Sequence, residues 1–220
     1  MTLPREVVVA GLIEELADFE VLVRSLDAAD LTAPSRCGAW TAGDVAAHVI
    51  GQMADVTAGR FDGLGTPEVT ERQVMERRGR SGAELGDELT DVTQAGRELL
   101  SVFDDDAWGG PSPAGGGTLG AGVEALWSDA YIHADDIRAA VGRPTDARPG
   151  IRGAVSHLSD ALTDQGHAPL TLELTGVEVY TVSGGGDRRI AGDAAAFVLV
   201  ATGRGDPGPF GLDETVNVYR

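Results

Sequence analysis

Ala-Leu-Trp-Ser-Asp-Ala-Tyr-Ile-His-Ala-Asp-Asp-Ile-Arg, residues 125–138, is the stretch whose reading decides the fold. As a helix it stacks Asp129 and His133 one turn apart and places Asp136 a further turn along the same side. Leu126, Ala130, Ile137 and Ala140 share that stripe, so the polar groups point toward a core, where an unpaired polar atom is costly. Two partners suit them: each other, as a hydrogen-bonded pair, or a metal ion. A third candidate ligand, His48 in Thr-Ala-Gly-Asp-Val-Ala-Ala-His (41–48), lies on another apolar helical face. His48, Asp129 and His133 form the leading candidate site.

Working outward, apolar residues at Val8, Leu12, Leu16, Phe19, Val23 and Leu26 have the three-four spacing of an amphipathic helix. Thr41 is an N-cap and Asp44 completes a capping box, with Asp in place of Glu, for a helix running through Val45, Val49 and Met53 to about Phe61. Residues 68–80 suggest a short helix, and Glu71 to Arg80 reads as a solvated charge run. Leu85, Leu89, Val92, Gly96, Leu99 and Phe103 mark another long helix. The Gly/Pro-rich segment 109–117 is a loop before the helix that bears Asp129, which Gly142-Arg143-Pro144 stops. A last helix is expected over 151–165, and long amphipathic helices joined by loops pack most simply as a bundle. From residue 168 the pattern alternates: 171–175 and 177–182 read as strands, Asp193–Thr202 as an Asp193-capped helix, and Thr215–Tyr219 as a final strand. The expected class is α+β, with a helical bundle over 1–166 and a small α+β domain over 167–220.

The net charge of −18, from 17 basic and 35 acidic residues, argues against nucleic acid and anionic membrane surfaces as partners. No apolar run is long enough to span a bilayer, and Met-Thr-Leu-Pro-Arg-Glu lacks a signal-peptide pattern, so a cytoplasmic protein is expected. The single cysteine, Cys37, excludes an internal disulfide framework and reads as a small packed residue. Trp40, Trp108 and Trp127 read as packing residues, although Trp127 could wall a cavity.

Imidazole nitrogen and carboxylate oxygen both suit zinc at about 2.0–2.2 Å, and three protein ligands leave a position open, as catalytic rather than structural sites do. Glu124 is too far from His133 to join them, about 13 Å along the helix axis. Asp136 suits orientation of His133 from behind, or solvent.

Two segments resemble the mycothiol-dependent maleylpyruvate isomerase family, within the wider DinB-like four-helix metalloproteins. One is Cys37-Gly-Ala-Trp40-Thr-Ala-Gly-Asp-Val-Ala-Ala-His48, similar to that family's tryptophan-capped helix leading to a metal histidine. The other is Asp129-Ala-Tyr-Ile-His133-Ala-Asp-Asp136-Ile-Arg138 with Gly142-Arg143-Pro144. The tail, with its Thr202-Gly203-Arg204 turn, is similar to the family's C-terminal α+β domain. The resemblance implies Zn2+, or another divalent metal, on His48, Asp129 and His133. It also implies mycothiol or a similar low-molecular-weight thiol as cofactor. Metal coordination would keep that thiol ionised for attack on an electrophilic double bond of a small-molecule substrate, in isomerase or S-transferase chemistry. Arg204 is the candidate catalytic residue, a guanidinium able to hold an anionic group of cofactor or substrate. A monomer or homodimer is expected, and the Ala-, Gly- and Arg-rich composition is compatible with an actinobacterial source. The family usually has Glu where this chain has Asp129, one methylene shorter, which opens an alternative: a non-catalytic small-molecule-binding module with a degenerate metal site.

Overall fold

A computed structural model of the chain describes residues 3–145 and 149–220. Its contacts divide it into two compact units, one spanning Arg5–Thr145 and the other comprising the described residues after 148 together with Leu3 and Pro4.

The first unit is a bundle of four long helices: α1 (Arg5–Arg24), α3 (Ala42–Thr57), α5 (Gly82–Ser101) and α7 (Leu119–Ala140). Shorter helices fill the connections: α2 (Ala28–Leu31), α4 (Pro67–Met75) and α6 (Asp105–Gly109). Helices α1 and α3 each pack on both α5 and α7, so the four close a ring around one apolar interior. Of the six apolar positions expected on this helix, Val8, Leu12, Leu16, Phe19 and Val23 are buried on α1, and Leu26 is buried just beyond its end. Gly11 lets α7 come close: a Cβ at that position would stand 2.2 Å from the Trp127 ring. Trp127 is therefore packing against α1 and is 2% exposed.

The charge run 71–80 is not simply a solvated face. Gln73, Val74 and Arg77 are buried, because α4 lies across α3 at Gly51, where a Cβ would meet Gln73 Cβ at 2.5 Å. A glycine inside α3 is thus what lets α4 reach the bundle.

The second unit contains α8 (Gly150–Asp164), β1 (Leu170–Thr175), β2 (Tyr180–Val182), β3 (Arg189–Asp193) and α9 (Ala194–Ala201). The sheet order is β2-β1-β3, with β1 antiparallel to β2 (Leu170 opposite Val182) and parallel to β3 (Leu172 opposite Ile190). Leu170, Leu172, Leu174, Tyr180, Val182 and Ile190 are its buried positions. Helix α8, which the sequence reading counted with the bundle, packs on β2 and α9. Its stripe of Ala154, Val155, Leu158 and Leu162 has helical spacing that any apolar surface would satisfy. The expected strand over Thr215–Tyr219 is absent. Asp213 caps a single 3-10 turn, Glu214–Val216, in which Val216 alone is buried. Strand β3, in which Ile190 alone is buried and which therefore lacks an alternating apolar signal, pairs with β1 along the other edge of the sheet. No helix among the described residues is long and apolar enough to cross a membrane.

Candidate metal centre

The site is built on two capped helices of the bundle. At the start of α3 the Thr41 hydroxyl accepts from the Asp44 amide while the Asp44 carboxylate accepts from the Thr41 amide, a reciprocal cap. His48 follows on the buried face between Val45 and Val49. Thr118 caps α7, whose 22 residues carry Asp129 and His133 to the level of His48. His48 Nε2 lies 3.7 Å from Asp129 Oδ2, and His133 Nε2 lies 3.4 Å from Asp129 Oδ1. The imidazole rings stand edge to face with centroids 5.3 Å apart, and one ligand atom of each residue lies within 4.8 Å of the others. The indole of Trp40 closes the other side of His48 at 5.4 Å between ring centres.

What lies behind each imidazole fixes its tautomer. Gln73 Nε2 donates to Asp55 Oδ2 at 2.6 Å, so Gln73 Oε1 is the atom that faces His48 Nδ1, at 3.0 Å. An amide oxygen only accepts, so Nδ1 of His48 carries the hydrogen and its Nε2 is a lone pair when the ring is neutral. Asp55 is itself held by Arg72, at 2.6 Å, and Arg60, at 2.8 Å. On the other ring, His133 Nδ1 is 3.0 Å from Asp136 Oδ2. Asp136 is wholly buried, takes the Arg36 Nε–H on Oδ1 at 3.2 Å, and accepts the Cys37 thiol on Oδ2 at 3.0 Å. With Nδ1 donating to Asp136, His133 too turns a basic Nε2 toward Asp129.

In the neutral rings two imidazole lone pairs and a carboxylate thus converge, an arrangement that suits a cation. A proton is the weaker answer at His48, where burial pushes the imidazole below its ordinary value and His133 adds to that, against the pull of Asp129 and Gln73. At His133 burial acts in the same direction, but Asp129, Asp136 and Cys37 outweigh it and the imidazole sits well above its usual range. Ligands at about 2.0–2.2 Å around a tetrahedral ion stand roughly 3.3–3.6 Å apart; the two imidazole nitrogens stand 3.4 and 3.7 Å from the two different Asp129 oxygens, so small side-chain shifts would bring one atom of each onto a shared ion. The donor set, two imidazoles and one carboxylate, is one that zinc accepts.

Asp129, despite its short side chain, reaches both histidines. Asp136 occupies the orienting position behind His133. Cys37, expected to be mere packing, is 3.8 Å from His133 Nδ1 and belongs with Asp136 to the shell around that ring. Arg204 lies in the α+β unit, where its Nη1 donates to Thr202 O at 3.1 Å. The sequence reading missed Gln73, Asp55 and Arg36. The one available signal was Gly51, a small residue on the helix that carries His48.

A family model described as the mycothiol maleylpyruvate isomerase N-terminal domain matches residues 12–138. The chain belongs to that family. Two solved structures share the fold across the mycothiol maleylpyruvate isomerase architecture, each covering 92% of this chain and 90% of its own. One is described as mycothiol-dependent maleylpyruvate isomerase, 21% identical with a TM-score of 0.63. The other is a histidine-to-alanine mutant of a mycothiol-dependent maleylpyruvate isomerase, 19% identical with a TM-score of 0.62. None of the curated proteins matches the chain. Family membership covers the bundle, including α3 and α7 with all three candidate ligands.

Proposed function

We propose that the bundle holds a divalent metal, zinc by its donor set, on His48, Asp129 and His133, and uses it with mycothiol or a similar small thiol in isomerase or S-transferase chemistry on a small electrophile. The observation that carries the reading is the tautomer pattern. Both outer nitrogens are committed to acceptors, so in the neutral rings both inner nitrogens face the same carboxylate as lone pairs, and a metal would displace the proton that His133 otherwise holds. Mycothiol comes from the family, whose name carries it, and from the structural relatives.

When bound, the metal supplies Lewis acidity that keeps a thiol ionised at neutral pH. The chain's own residues prepare the place for it. Gln73, locked by Asp55, holds the His48 ring and keeps its inner nitrogen unprotonated. Asp136 fixes the matching tautomer of His133 and strengthens its basicity, as carboxylates behind ligating histidines do. Arg36 bridges Asp136 and Asp135 and partly offsets the charge of Asp136 from the side away from the ligands. Trp40 covers His48 and limits the access of water. Arg204 is proposed as the guanidinium that takes an anionic group of thiol or substrate.

Metal analysis of the purified chain, before and after chelation, tests the reading, paired with thiol consumption in the presence of an electrophilic alkene. About one zinc per chain and thiol addition that disappears with the chelator are expected. A chain that takes up no divalent metal would instead be a binding module that keeps the fold.

A further inference from the structure

An apolar cavity of about 250 Å³ lies in the bundle, lined from α1, α3, α5 and α7, on the N-terminal side of Asp129 along α7. Leu126, one turn before Asp129, is in its wall, with Val123 a further turn away. Along the axis of α7 these two positions are about 4.5 and 9 Å from Asp129. Met53 faces them from α3, and Leu12, Leu99 and Phe103 complete the floor and rim. Thr57 is the only polar side chain of the lining among the described residues. Its hydroxyl is already given to the carbonyl of Met53 at 2.9 Å, one turn back along α3.

Such a cavity selects by chemistry. A carboxylate placed in it would lose its hydration and find no donor, a cost that keeps charged groups out. An uncharged hydrocarbon group gains by leaving water. The size is generous, since an engineered apolar cavity of about 150 Å³ binds benzene. We infer that this cavity seats the uncharged aromatic or branched hydrocarbon body of the substrate, with the electrophilic carbon lying toward His48, Asp129 and His133. The substrate class is then an apolar electrophile rather than a compact dicarboxylate. The assignment of an electrophile rests on the metal and thiol reading above. The assignment of the apolar seat rests on the cavity alone.

Gly96 of α5 offers a clean way to fill it. A Cβ there would meet Met53 Cε at 3.4 Å and Thr57 Cγ2 at 3.7 Å, ordinary contact distances, so a side chain can start at the cavity wall and Gly96→Leu is the filling variant. Indole and maleate are titrated calorimetrically into the zinc-treated full chain and into Gly96→Leu, with zinc content, thermal stability and sedimentation measured for both. Indole is expected to bind the wild type and to bind Gly96→Leu roughly tenfold more weakly or not at all, while maleate does not compete with it and zinc content is equal. Indole that fails to bind, binds both proteins alike, or is displaced by maleate overturns the proposal. So does a wild-type dimer that ignores indole and falls apart in Gly96→Leu, because the cavity would then be a contact between copies. If indole behaves as expected but no zinc is taken up, the apolar seat stands and the metal reading falls. Zinc uptake without indole binding gives the converse.

Discussion

Replacing Gln73 by Leu, an apolar residue that can neither donate nor accept, tests the tautomer argument on which the candidate metal centre depends. Two hydrogen bonds disappear: the one at 3.0 Å that fixes His48 Nδ1, and the one at 2.6 Å to the Asp55 carboxylate. A neutral bond contributes about 0.5–1.5 kcal/mol and one to a charged group about 1.5–3 kcal/mol, so a loss of roughly 2–4 kcal/mol is expected. Asp55 keeps Arg60 and Arg72, which holds the loss to this range rather than leaving a bare buried charge. At about 2–4 °C per kcal/mol for a chain of this size, Tm should fall by roughly 5–15 °C. Zinc affinity should fall by about 10–100-fold, the usual effect of removing the partner behind a ligating histidine. Gln73→Glu separates the two roles. Its carboxylate still accepts from His48 Nδ1 but can no longer donate to Asp55, so stability should drop while zinc affinity is kept. Competition with a chromophoric chelator gives the affinities, thermal unfolding gives the stabilities, and imidazole nitrogen shifts report the His48 tautomer. If Gln73→Leu binds zinc within twofold of the wild type, or if the Glu variant loses zinc as badly as the Leu variant, the reasoning is wrong.

His133→Ala should abolish metal binding and leave the bundle folded by circular dichroism, because a catalytic site contributes less to folding than a structural one; loss of the fold with the metal would make the ion structural. Asp129→Asn should weaken zinc binding sharply, whereas Asp129→Glu should be tolerated; the opposite order, read from zinc affinity and Tm side by side, would leave only a buried polar pair. Gly51→Ala brings a methyl within 2.5 Å of Gln73 Cβ, so it should cost about 1–3 kcal/mol by overpacking and lower zinc affinity by displacing α4. Burial raises the Asp55 carboxyl, but its bonds to Gln73, Arg72 and Arg60 outweigh this and hold it below the ordinary 3.8. Its contribution is therefore complete above the unfolded value and is lost as pH falls through the folded one. Urea unfolding should show stability dropping below about pH 4, with a shallower drop in Asp55→Asn.

The local layer of this protein was legible without coordinates. Thr41 and Asp44 announce the start of α3, the glycines of 109–117 mark the loop before α7, and the apolar spacing of α1 and α5 states which face is buried. Those signals are local because caps and helical periods are written within one or two turns. They suffice to put Asp129 and His133 on one side of one helix and His48 on the inner face of another. Tertiary structure alone decided that these two faces meet, since which apolar stripe packs on which is a matter of closing a core. For the same reason α8, with a stripe no different in kind, went to the sheet of the second unit instead of the bundle. The shell behind the ligands is non-local too. Gln73 stands 25 residues from His48 and reaches it only because α4 crosses α3 at Gly51. Cys37 and Arg36 stand about 100 residues from Asp136. Hydrogen bonds between distant residues leave no period in a single sequence, and so the candidate ligands could be proposed from it while the residues packed behind them could not.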